Sequence, residues 1–255
     1  MSALSNFLES QLFNHIFRNI AYMSPTTVFV AFYTSDPTDA DTGTEVAGGG
    51  YVRQAMTFTA PTNGAGDNSA LLDWGTASAD WGNVTHFGIR DSLTAGNLLL
   101  YAPMTIARNI KLGDTVKINA NELDVSFSGI ASNFLVNAIY NHVLRNIAYT
   151  SPSAVYVGLY ISDPTPADTG GEVSGGAYAR LAVTFGAPSN GTGDNSSELA
   201  FVTPTLDWGL VSHSSMRDAL TLGNLLTFNP LASVRNILAT NTVKIPANNL
   251  IQAVA

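Results

Sequence analysis

The stretch DPTDADTGTEVAGGGYVRQAM, residues 36–56, sets Asp36, Asp39, Asp41 and Glu45 beside three glycines and Arg53. Carboxylates at this density are the material of a cation loop or of an acid–base pair. A calcium loop of the EF-hand kind needs oxygen ligands at alternate positions, a glycine at the sixth and a distal glutamate. Asp39, Asp41 and Gly43 do not keep that spacing. The stretch also returns as DPTPADTGGEVSGGAYARLAV at 163–183, where Pro166 replaces Asp39. What both versions share is turn chemistry: proline fixes φ, Asp36 and Asp163 can close Asx-turns, and glycine allows positive φ. A phosphate cradle wants a strand before its glycines and a helix after them, and here a strand pattern follows. No metal and no cofactor is expected. Because its acids vary between the versions, the stretch is the candidate partner-contact loop, through Asp39, Asp41, Glu45, Asp168 and Glu172.

The other reactive side chains also come in pairs 127 residues apart. The histidines are His15/His142 and His86/His213, and no G-x-S-x-G-like elbow offers them a nucleophile. They are expected to make structural hydrogen bonds. All eight arginines pair as Arg18/Arg145, Arg53/Arg180, Arg90/Arg217 and Arg108/Arg235, which suggests forked anchoring of turns and edges. Trp81/Trp208 with Tyr22/Tyr149, Tyr33/Tyr160 and Tyr51/Tyr178 could form a sugar-stacking platform, although paired aromatics more often anchor a core or an interface.

These pairs belong to a duplication. SNFL at 5–8 recurs at 132–135, RNIAY at 18–22 at 145–149, GDNS at 66–69 at 193–196 and TVKI at 115–118 at 242–245, all without a gap. About half of the aligned positions are identical. So long a period marks a duplicated domain, since solenoid and propeller units run to about 20–50 residues. The domains are therefore expected at 1–128 and 129–255. The first carries 12 acidic and 6 basic residues and the second 7 and 5, so the two present different surfaces.

Of the 255 residues 45% are hydrophobic and only 12% charged, enough to bury a core. A net charge of −8, with no Lys/Arg run, argues against nucleic acid as a partner. Without cysteine there are no disulfides or thiolate sites, which fits assembly in a reducing cytoplasm. The first twenty residues lack the pattern of a secretion signal, and no run of about 18 apolar residues predicts a membrane span.

Leu4, Leu8, Leu12, Ile16 and Ile20 follow helical spacing, as do Leu135, Ile139, Val143 and Ile147, with Pro25 and Pro152 beyond to help stop each helix. Short β-rich runs follow, among them TVFVAFY, YVRQAMTF, NLLLYAPM, TVKI and LDVSF, separated by Gly, Asn, Asp and Pro clusters. The expected fold is mainly β: two tandem antiparallel β-sandwich domains, jelly-roll-like, each preceded by a short N-terminal α-helix.

At NHIFRNIAYMSPTTVFVAFYTSDPTDADTGTEVAGGGYVRQAMTF and DWGNVTHFGIRD…GNLL the chain resembles a family of bacteriophage virion proteins, usually single copies of about this repeat's length. The resemblance covers both copies and implies a mainly β structural protein with no enzymatic activity and no catalytic residues. It points to a virion protein assembled in the host cytoplasm, most simply a capsid decoration or cement protein on the major capsid protein. Contacts with other virion proteins and self-association are also expected, without nucleic acid or membrane. The alternatives are a tail or tail-fibre component, or a carbohydrate-binding β-sandwich module.

Overall fold

Each repeat lays out one helix and then eight strands. The computed structural model describes residues 3–127 and 131–254; the expected boundary at Ser128 and Gly129 lies outside the described residues. In the first repeat the order is β1 (Ala3–Leu4), α1 (Asn6–Phe17), β2 (Val28–Tyr33), β3 (Gln54–Met56), β4 (Ala65–Asp67), β5 (Leu72–Thr76), β6 (Gly82–Arg90), β7 (Leu98–Ile110), β8 (Thr115–Ile118) and β9 (Asp124–Ser126). The second has α2 (Asn133–Leu144), β10 (Val155–Tyr160), β11 (Leu181–Val183), β12 (Thr192–Asp194) and β13 (Leu199–Ala200). It ends with β14 (Gly209–Arg217), β15 (Leu225–Ile237), β16 (Lys244–Ile245) and β17 (Ile251–Ala253).

The helices start where serine can cap them. Ser5 Oγ accepts the Leu8 N–H at 3.2 Å and Ser132 Oγ that of Leu135 at 3.1 Å. They end before the prolines act. Asn19 and Asn146 take φ of 52°, a left-handed conformation that asparagine tolerates, and the chain turns off at Phe17 and Leu144. Ile20 and Ile147, expected on the apolar face, therefore fall outside the helices and stay about half exposed.

In each repeat the main sheet is antiparallel, in the order β1-β7-β6-β2-β3 and β15-β14-β10-β11, with an Ala131–Thr227 bridge standing where β1 pairs with β7. Strand alternation sends Val28, Val30 and Phe32 into the main core and Ala31 and Tyr33 to the opposite face, against Leu98. Two ribbons complete each repeat: β4–β9 and β5–β8, matched by β12–β17 and β13–β16. The β5–β8 ribbon meets the sheet through Trp74, whose ring centroid is 4.5 Å from that of Phe32.

The helices join the repeats. Besides packing on its own sheet, α1 lies on the β12 ribbon of the second repeat: Phe13 and Phe17 meet Phe185 at 5.8 and 5.3 Å, and Arg18 Nε donates to the Phe185 carbonyl at 3.3 Å. The exchange is mutual. From α2, Tyr140 packs edge-on against Phe58 and Phe127 of the first repeat, Arg145 Nε donates to the Phe58 carbonyl at 3.3 Å, and Asn137 Oδ1 accepts the Gly64 N–H at 2.7 Å. Glycines make the seats. A Cβ on Gly193 would stand 2.4 Å from the Phe13 ring, and one on Gly66 2.6 Å from the Tyr140 hydroxyl. Buried side chains of both repeats consequently form one contiguous core.

Gly193→Ala should then destabilise the chain by about 1–3 kcal/mol through overpacking against Phe13. Gly186→Ala, on the same repeat, where a Cβ would make only ordinary contact with Asp194 at 3.8 Å, should stay within about 0.5 kcal/mol of the parent. Thermal or urea unfolding of the two variants checks this; equal stability would contradict the seating.

Candidate functional site

The acidic loop turns much of its chemistry inward. Asp36 Oδ1 accepts the Thr38 N–H at 2.9 Å and Asp163 Oδ1 that of Thr165 at 2.8 Å, closing the Asx-turns. Glu45 receives a fork from Arg53, Nε at 2.8 Å and Nη2 at 2.7 Å, and the Tyr51 hydroxyl donates to it at 3.1 Å. Asp41 pairs with Arg90, whose Nε donates to the Tyr33 hydroxyl at 2.7 Å. The second repeat repeats the pattern with Glu172, Arg180 and Tyr178, and with Asp168, Arg217 and Tyr160. Burial alone would raise the Glu172 carboxyl, but the Arg180 fork outweighs it and holds the group below its ordinary range.

The same guanidinium groups reach a second loop. Arg53 Nη1 donates to the Ser92 and Ala95 carbonyls at 2.7 and 2.6 Å, and Arg90 Nη1 to that of Gly96 at 2.9 Å. Each buried arginine thus clamps residues 91–97 to the acidic loop, and Arg180 and Arg217 do the same for residues 218–224. Of the five acids assigned to the partner-contact loop, the structure brings Asp41, Glu45, Asp168 and Glu172 to these arginines. Asp39 stays exposed, and only its carbonyl is used, accepting the Asn6 N–H at 2.9 Å. The Pro166 carbonyl accepts from Asn133 at 2.8 Å, so proline can stand there without loss of the bond.

Trp81, Tyr33 and Tyr160 are buried, while Tyr51 and Tyr178 pack on the core, so they form no open stacking platform. His86 and His213 bond through Nδ1 to Thr85 and Ser212 at 2.9 Å, and Asp36 and Asp163 stand 3.8 and 3.9 Å from their Nε2 atoms, beyond hydrogen-bond reach.

His15 and His142 meet where the two repeats are related to each other. Their rings stack at 4.7 Å, both buried. His15 Nε2 donates to the Tyr149 carbonyl at 2.8 Å and His142 Nε2 to that of Tyr22 at 2.9 Å. Each Nδ1 accepts the N–H of the tyrosine in its own repeat at 3.1 Å, which places the single ring proton on Nε2. Ser151 Oγ adds a bond to the His15 carbonyl at 2.6 Å, and Ser24 bonds to that of His142. Sequence spacing pointed to structural histidines but not to their meeting, because nothing local in a sequence reports contact across a duplication.

In each repeat the longest strand is bulged beyond its short contact with the start of the repeat, Ala3–Leu4 on β7 and Ala131 on β15. Along β7 the pairing with β6 passes from His86↔Pro103 to Val84↔Arg108, so residues 104–107 bulge opposite the single Thr85. The bulge recurs at residues 231–234, between His213↔Pro230 and Val211↔Arg235. In the first repeat it borders a groove of about 440 Å³ with Phe87, Met104 and Ile118 among its apolar lining and Arg108, Glu122 and Asp124 among its charged lining.

A family model described as podophage GP4 fiber I protein gp80 matches the chain twice, over residues 3–126 and 130–253. No curated protein matches it. The chain belongs to this family of phage virion structural proteins, as a tandem duplication.

Two groups at the junction of the repeats answer acid in opposite senses. Burial holds both His15 and His142 below their ordinary value, so below about pH 6.5 the unfolded chain binds protons that the folded chain refuses, and stability falls as pH drops. Burial on the second repeat and the nearby Asp39 charge push Glu9 up to about 7. Glu9 therefore takes up a proton in the folded chain first, and between pH 7 and its unfolded range acid adds stability. The melting temperature of Glu9→Gln should fall between pH 7.5 and 5, and that of His15→Gln/His142→Gln should rise over the same window. Slopes of the same sign would contradict the assignment.

Proposed function

We propose that the chain is a structural, non-catalytic component of a phage fibre, in preference to the capsid decoration or cement role expected from sequence. The observation that carries this reading is the fibre-family match running through both repeats. The architecture suits a part that bears load: one contiguous core spans the tandem, and buried arginines tie the 91–97 and 218–224 loops to the acidic stretches. The absence of catalysis is supported by how the reactive groups are spent. The histidines and the loop acids Asp41, Glu45, Asp168 and Glu172 mostly bond within the chain, to backbone or to an arginine, rather than converging on a shared cavity. The partners are other virion proteins, through surfaces that differ between the two repeats because their charge differs. Self-association of the chain is a further contact open to it.

Image reconstruction of the intact particle, with a peptide tag displayed on this chain, tests the proposal. Tag density on the fibres is expected. Tag density spread over the capsid shell would return the decoration role and overturn the fibre.

A further inference from the structure

Six of the eight arginines are accounted for inside the chain. Arg18 and Arg145 bind carbonyls across the repeats, Arg53 and Arg180 fork onto glutamates, and Arg90 and Arg217 bind aspartates and tyrosines. Arg108 and Arg235 differ. Both are exposed, and neither side chain has a hydrogen bond or ion pair among the described residues. The exposed lysines show that this is not the general state of the surface, for Lys111 pairs with Asp80, Lys117 with Asp73 and Lys244 with Glu198. The last two are telling. Ala200 stands where Asp73 does, and the acid has moved to Glu198, so the duplicate kept an internal partner for its lysine.

Both arginines follow the bulge, one in β7 and the other in β15. Its four residues read MTIA in one repeat and LASV in the other, with no identity, while Pro103/Pro230 before it and RNI at 108–110 and 235–237 after it are unchanged. Ile110 and Ile237 are buried and explain themselves. Arg108, Asn109, Arg235 and Asn236 are exposed, and the interior of the chain gives no reason for their retention. A bulge re-aims the side chains that follow it. Here its length is kept and its sequence is not, which is what aiming alone would require.

We infer that Arg108 and Arg235 are a matched pair of docking points that take carboxylates on a second virion protein, one point on each repeat. Charge selects that partner. A polyanion such as nucleic acid would need several bases together, whereas each point offers one guanidinium on a chain of net charge −8, and Glu122 and Asp124 border the groove beside Arg108. A single protein carboxylate can be held bidentately by an arginine and supported by the adjacent asparagine. With both points in one body the second contact forms intramolecularly, so two weak contacts give one firm attachment.

The inference rests on the virion role proposed above, and the test separates the two. Phage lacking this gene product would be complemented with the parent chain, Arg108→Gln, Arg235→Gln, the double variant, Arg108→Lys/Arg235→Lys, or Lys111→Gln as a control. The copies of the chain per purified particle would then be counted. Each single Gln variant should lower occupancy several-fold and the double at least tenfold, with a salt wash releasing the singles first. The Lys pair should fall between the parent and the double Gln variant, and Lys111→Gln should match the parent. Melting curves of the purified chains should coincide, since neither arginine side chain bonds to another described residue. Parent-like occupancy of the double Gln variant would overturn the inference while leaving the virion role intact, and absence of the parent from particles would overturn both. Self-association of the purified parent that the double variant abolishes would assign the points to a second copy of this chain and also overturn it.

Discussion

Each helix is seated on the other repeat, and the rest of the molecule is arranged around that exchange. A helix of twelve residues is held mainly by packing of its apolar face, and α1 packs on its own sheet with only part of that face. In this chain the remainder is buried by a ribbon from the neighbouring repeat, where glycines remove the Cβ atoms that would block Phe13 and Tyr140. The two repeats are thus halves of one body. The stacked histidines bridge the halves, each with its single ring proton spent on a carbonyl of the other half.

That arrangement gives the acidic stretch its purpose. Its Asp39 and Pro166 carbonyls meet the first residues of the helices, and its Asp41, Glu45, Asp168 and Glu172 carboxylates hold the arginines that tie down the 91–97 and 218–224 loops. Loop, helix start and second loop are therefore fixed together. A carboxylate removed from one of these forks would leave a buried guanidinium without its partner, a larger loss than the pair itself contributes. The duplicate varied where only a carbonyl was needed and held fast where a carboxylate was.

Much of this was legible in the sequence. The gapless duplication marked the repeat, apolar spacing marked the helices, and β-rich runs between turn clusters marked the strands, whereas the capping serines came to light only in the structure. The pairing of all eight arginines pointed to anchoring, which holds for six. Helix ends were misread because asparagine in the left-handed region stopped each helix before its proline could. The exchange of helices left only a faint trace, the glycines of NGAGDNS and NGTGDNS, identical in both copies and at the two points where aromatic rings arrive. Which ring faces which glycine is a long-range fact, set by packing and not by any local preference. The bulges in β7 and β15 were equally hidden, since a bulge is a matter of register between strands.

The central claim is that the repeats are held by packing and not by their covalent join alone. A protease site introduced between residues 126 and 131 of the full chain would test it, with cleavage followed by size-exclusion chromatography under native conditions. The two halves should co-elute as one particle of the parent's size after complete cleavage, and Gly193→Ala should weaken their association. Separation of the cleaved halves into two folded, independent species would contradict the account.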